Sequence, residues 1–129
     1  MNKILISLLL ILGFASCKKD SNSDNNQTIG TAPVIAVEAP SSGIVNKPLI
    51  FNLTVAYPNG CVTFRKFIEN MQIKVRRVEV ETTIPKDKSC AEVIVNRDAT
   101  YTYTPTEKGT FTFKFKNDDS WIEKVVIVE

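Results

Sequence analysis

The sequence contains no histidine, which removes the side chain most used for proton transfer near neutral pH and the commonest nitrogen ligand for metals. Serine and cysteine nucleophiles served by an imidazole base are therefore excluded. Glycine is scarce, 5 in 129 residues, and none sits in a phosphate-cradling loop. Charge of one sign is also lacking, with 16 basic residues against 14 acidic ones. Lys74, Arg76 and Arg77 are the only tight basic cluster of the folded part, so the broad basic face of a nucleic-acid binder is absent. No stretch has a convincing helical period, and no internal repeat is visible. The long apolar run of a membrane-spanning helix is missing as well. Residues 4–15 would reach about 18 Å at ~1.5 Å per residue, short of a ~30 Å hydrocarbon core.

What the N-terminus does hold is a short address. Lys3 supplies a positive start, residues 4–15 an apolar stretch, and Ala15 and Ser16 small residues before Cys17, the order of a secretory signal. Phe14-Ala15-Ser16-Cys17 resembles the lipobox of bacterial lipoproteins, with Phe14 where leucine is usual. The resemblance implies that the Cys17 thiol takes a diacylglyceryl group and that cleavage frees its amine for a further acyl chain such as palmitate. Each buried methylene contributes ~0.8 kcal/mol, so two or three chains hold a protein on a membrane where one would not.

Residues 18–31 (KKDSNSDNNQTIGT) contain one large apolar residue, Ile29. Such a segment cannot bury enough surface to offset its ordering entropy. The expected organisation is a lipoprotein signal peptide over 1–16, the lipidated cysteine and a flexible polar tether over 17–32, and a folded domain over 33–129.

From Pro33 onward, short runs have a period of two. Residues 33–38 read as a first strand. Leu49, Phe51, Leu53, Val55 and Tyr57 alternate with polar residues in the clearest one, which Pro58-Asn59-Gly60 turns. Residues 62–69 continue as a strand, with a turn expected at Glu69-Asn70. In the strand over 72–82 the apolar positions Ile73 and Val75 change parity to Val78 and Val80, which predicts a bulge near Arg76-Arg77. Residues 83–88 read as a loop and 90–95 as extended. Tyr101-Thr102-Tyr103-Thr104 leads to Gly109, and Phe111, Phe113 and Phe115 alternate with polar residues. Asn117-Asp118-Asp119-Ser120 is a hairpin turn, after which 121–128 closes the sheet. The fold class expected is all-β, an immunoglobulin-like antiparallel β-sandwich of about seven or eight strands.

Cys61 and Cys90 are the thiols that remain once Cys17 is lipidated. In an exported domain they are expected to form a disulfide. Two free thiols and a metal pair are the alternatives, and the metal pair lacks further ligands.

The Pro-Asn-Gly-Cys turn at 58–61, the cysteine at 90, Tyr101-Thr-Tyr-Thr-Pro105, Gly109-Thr-Phe-Thr-Phe-Lys-Phe115 and Ile122-Glu-Lys-Val-Val-Ile-Val128 together resemble small lipoproteins of flavobacteria and related Bacteroidota that carry an immunoglobulin-like β-sandwich. The resemblance implies fold and location: the bacterial cell envelope, as an outer-membrane lipoprotein facing either the periplasm or the surface.

Other candidate sites are weighed against plainer roles. Asp118 and Asp119 suit a turn better than a calcium site, which needs six to eight oxygens. Tyr101, Tyr103 and Trp121 would serve either as an exposed aromatic platform or as core packing, and alternation favours the core. Lys74, Arg76 and Arg77 would meet an anionic partner or simply solvate an edge. Asn52-Leu53-Thr54 matches a glycosylation sequon inside an expected strand, and nothing is read into it.

The expected partners are the membrane, through the lipid anchor, and an envelope protein or glycan, with no nucleic acid. No metal, cofactor or enzymatic activity is expected. The function expected is a non-catalytic binding or adhesion module of the envelope. A structural accessory subunit of an outer-membrane complex, or a protease-inhibitor-like domain with 83–88 as its loop, are the alternatives.

Overall fold

The computed structural model describes residues 26–129; the signal peptide of 1–16, Cys17 and most of the expected tether lie outside them. The described chain forms strands β1 (Gln27–Ala32), β2 (Val34–Glu38), β3 (Ser42–Gly43), β4 (Leu49–Tyr57), β5 (Thr63–Gln72), β6 (Val75–Pro85), β7 (Val95–Tyr103), β8 (Gly109–Asn117) and β9 (Ser120–Val128). Alternation dictates the core. In β4, Leu49, Phe51, Leu53, Val55 and Tyr57 are buried, and in β8, Phe111, Phe113 and Phe115. Each such side chain contributes ~1.5–3 kcal/mol on burial. Phe51 sits at the centre, its ring 4.5 Å from Phe113, 5.5 Å from Phe115 and 5.7 Å from Tyr101.

Two sheets face each other across this core. One is three-stranded and antiparallel, in the order β2-β4-β7. The other is six-stranded, and β6 is its spine. Strand β5 pairs with β6 along one edge from Val75 to Thr83. The opposite edge is shared end to end, β8 running parallel to Val75 through Val78 and β1 antiparallel to Val80 through Pro85. Strand β9 pairs antiparallel with β8, and the two-residue β3 lies parallel to β9. The expected all-β sandwich is thus present, with nine strands among the described residues instead of seven or eight and with two parallel ladders.

The folded part begins earlier than the composition suggests. Strand β1 occupies residues assigned above to the tether, and only Ala32 of its side chains is buried. Its order comes from backbone pairing with β6, which needs no apolar signal. At Pro33, which has no N–H to give a ladder, the chain crosses to the other sheet, and the Ala56 N–H donates to the Pro33 carbonyl at 3.0 Å.

Other departures concern where strands turn and where their register shifts. The turn expected at Glu69-Asn70 lies instead at Ile73-Lys74, where Ile73 takes a φ of 54°. Ile73 therefore never belonged to the alternation of the next strand, and β6 runs without a bulge at Arg76-Arg77. The bulge is in β5, between Phe64 and Lys66. It places Phe64 and Phe67, three residues apart, on the same inner face. A second shift between Val34 and Ala36 does the same for Val34 and Val37. Strand β6 continues to Pro85, through the start of the expected loop, and the extended stretch expected at 90–95 is irregular until Val95.

Candidate functional site

The inward parity of β6 puts Arg76 on the same face as Val78, Val80 and Thr82. Its side chain is only 14% exposed. A guanidinium so placed is costly unless it is paired, and it is paired from two other strands. Glu69 on β5 accepts from Nη1 at 2.9 Å, and the Tyr101 hydroxyl on β7 accepts from the same nitrogen at 3.2 Å. Nη2 donates to the Met71 sulfur at 3.2 Å, and the guanidinium carbon lies 4.1 Å from the centre of the Tyr103 ring. Tyr101 in turn donates its proton to Glu69 Oε1 at 2.5 Å. Its ring packs against Phe51, Phe67 and Phe115.

This cluster joins β5 and β6 of one sheet to β7 of the other, at the side where both sheets end. Burial, together with the hydrogen bond to Glu69, holds the Tyr101 hydroxyl well above the usual tyrosine range, against the opposing pull of Arg76. Burial works to lower the Arg76 guanidinium, and the hydrogen bonds and charges of Tyr101 and Glu69 more than offset it. The phenol and the guanidinium both donate to the Glu69 carboxylate, so the three side chains tie their strands together. The arrangement is a clasp.

A second clasp closes the seam four residues earlier on β7. Arg97 donates to the carbonyls of Gly60 at 2.9 Å and Val62 at 3.0 Å, and its guanidinium carbon lies 5.3 Å from the centre of the Tyr57 ring. Burial raises the Tyr57 hydroxyl, and the Arg97 charge offsets part of that rise. Between the two bonded carbonyls stands Cys61, joined to Cys90 as expected, with Cα atoms 6.1 Å apart. The Asn59 side chain holds the turn by accepting from the Cys61 N–H at 2.9 Å.

The residues singled out in the sequence are brought together only in part. Tyr101 and Tyr103 face the core side of β7, whereas Trp121 faces the outer surface of its sheet beneath Lys116 Nζ, 4.7 Å from its ring centre. They do not form one platform. Arg76 points inward, Arg77 outward, and Lys74 packs over Gly109, so the basic triplet makes no patch. Asp118 and Asp119 occupy the two-residue turn between β8 and β9, with Asp118 at a φ of 48° and Ser120 Oγ donating to the Asn117 carbonyl at 2.9 Å. Among the described residues, no group of three or more cysteine and acidic side chains is placed to hold a metal. Cys17 lies outside the described residues.

Sequence reasoning missed Glu69, which it placed in a turn, and Arg97, which no pattern marked. The available signal was the pair of even-numbered positions Arg76 and Val78, whose shared parity puts a cation on a buried face. Also unmarked was the strip of large apolar side chains on β5. Phe64 is 44% exposed, Ile68 38% and Met71 49%, with Ile73 at the hairpin tip 90% exposed.

A shallow depression of about 330 Å³ on the outer face of the three-stranded sheet is lined by Glu38, Asn52, Thr54, Asp98 and Thr100. A wider cleft of about 650 Å³ lies at the end of the sandwich among Pro40, Ile44, Lys47 and Leu49.

Compared with known proteins, the chain matches the ORF11 beta-sandwich domain over residues 51–128. No curated protein and no solved structure matches. The matched stretch takes in both clasps, the disulfide and all of β5 through β9. With more than half of its length covered, the chain belongs to the family of the ORF11 beta-sandwich domain.

Proposed function

We propose that this chain is a lipid-anchored, extracytoplasmic module that works by binding and not by catalysis. The observation that carries the reading is the Cys61–Cys90 disulfide. Disulfides persist in oxidising compartments, and such a compartment is where the signal-like N-terminus ending at Cys17 would deliver the domain. The family membership supports a β-sandwich as the working unit. The polar cluster at Arg76, which could have suggested chemistry, is consumed in holding the sheets together. The test is mass spectrometry of the protein purified from bacterial membranes. An N-terminus at Cys17 carrying acyl mass is the expected result, and an N-terminus beyond Cys17, or an unmodified Cys17, overturns the anchor.

A second reading, the structural accessory subunit, is favoured by one observation. Strand β5 is a long edge with Phe64, Ile68 and Met71 exposed, a feature suited to strand addition or to an apolar protein interface.

A further inference from the structure

Strand β5 pairs with β6 on one side only, so along its ten residues alternate N–H and C=O groups point away from the sheet. The other open edges offer less. Strand β1 has six residues and exposes one large apolar side chain, Ile29, β2 is short, bulged and preceded by Pro33, β9 beyond its two-residue pairing with β3 exposes Val125, and β7 carries no large exposed apolar side chain. Strand β5 contains no proline and exposes Phe64, Ile68 and Met71.

We propose that β5 pairs antiparallel with β5 of a second copy of this chain, across a two-fold axis perpendicular to the sheet, so that two six-stranded sheets become one. Such an axis sets residues of the same face opposite one another. With Arg65 as the extra residue of the bulge, Phe64, Phe67, Glu69 and Met71 lie on the inner face and Thr63, Lys66, Ile68, Asn70 and Gln72 on the outer. An axis at Ile68 uses the whole strand and keeps every face. Ile68 meets the second copy's Ile68, Phe67 its Glu69, Lys66 its Asn70, Phe64 its Met71 and Thr63 its Gln72.

Neighbouring registers are worse. An axis at Glu69 sets two carboxylates against each other, and one at Phe67 shortens the ladder and puts Lys66 opposite Ile68. Most of the charge on β5 is already met within each copy. Arg65 pairs with Glu81, Lys66 Nζ lies 4.0 Å from the same carboxylate, and Glu69 is bound by Arg76. Arg65 and Lys66 share one carboxylate, so each copy keeps one positive charge there; in this register Lys66 faces the second copy's Asn70 and no other cation, and the apolar residues of the strand gain cover.

This inference names the partner for the accessory-subunit reading and rests on it only for the strand used. The test co-expresses two differently tagged copies of the full chain and measures their co-recovery in nonionic detergent. The wild-type copies are expected to co-purify. Ile68→Lys or Ile68→Glu in both copies should lower recovery about tenfold or more, because two like charges then meet on the axis. One copy of each should restore it. Val125→Lys, at a more exposed apolar position on the outer face of β9, should leave recovery unchanged. A photoreactive residue at position 68 should crosslink to the second copy. No co-recovery of wild-type copies, or equal loss with Val125→Lys, overturns the proposal. A crosslink from position 68 to a different protein alone also overturns it, and leaves the accessory-subunit reading standing.

Discussion

Tyr101 donates its hydroxyl proton to Glu69 across the open side of the sandwich, with 2.5 Å between the oxygens. The two residues belong to different sheets and to strands that share no ladder, so the bond ties together edges that backbone pairing leaves apart. Tyr101→Phe keeps the ring against Phe51 and Phe115 and removes only this bond and the one from Arg76. The expected loss is about 1–2 kcal/mol of unfolding free energy, measured by urea denaturation followed by tryptophan fluorescence. A loss below a few tenths of a kcal/mol would show that the clasp does not hold the seam.

The same hydroxyl makes stability depend on alkaline pH. Its folded-state pKa lies above the ordinary tyrosine value of about 10, as does that of Tyr57. The raised pKa values mean that their contribution is complete below about pH 10 and is lost as pH rises from there through the folded values, where the unfolded chain ionises first. Denaturation midpoints should therefore fall above pH 10, and Tyr101→Phe should flatten that fall. An unchanged slope in the variant would assign the alkaline loss to other groups.

The disulfide closes a sequence separation of 29 residues that contains the whole β5–β6 hairpin. In the chain-entropy model a loop of that size contributes about 3–4 kcal/mol. The paired substitution Cys61→Ser with Cys90→Ser should lower stability by that order, and reductant should lower the wild type alone. A Cys61→Ser/Cys90→Ser protein as stable as the oxidised wild type would mean that the denatured chain is already restrained.

Most of the fold was legible where apolar residues alternate. Strand β4 and the Phe111-Phe113-Phe115 stripe lie where their pattern puts them, and Asp118-Asp119 turns the chain as its composition demands. The disulfide was legible by elimination. What escaped was held by forces that leave no apolar trace. Strand β1 is a polar segment fixed by backbone pairing, β7 follows Val95 with the polar run Asn96, Arg97 and Asp98, and Glu69 looks like a turn residue until its partner on another strand is known. Ile73, by contrast, is an apolar residue at a turn, and its presence shifted the inferred parity of β6.

Arg97 tests whether the seam is one cooperative unit. Its guanidinium binds the carbonyls on both sides of Cys61, so it and the disulfide restrain the same connector. Arg97→Ala should cost about 1–2 kcal/mol in the oxidised protein, since two carbonyls lose a charged donor. Arg97→Lys should recover only part of it, because an ammonium lacks the planar fork that reaches both oxygens. When the disulfide is absent the connector is held less firmly, and Arg97→Ala should cost less than it does in the oxidised protein. The double-mutant cycle with Cys61→Ser/Cys90→Ser should then show a coupling of about 0.5–1 kcal/mol. Strict additivity would make the two restraints independent and confine the effect of Arg97 to its own hydrogen bonds.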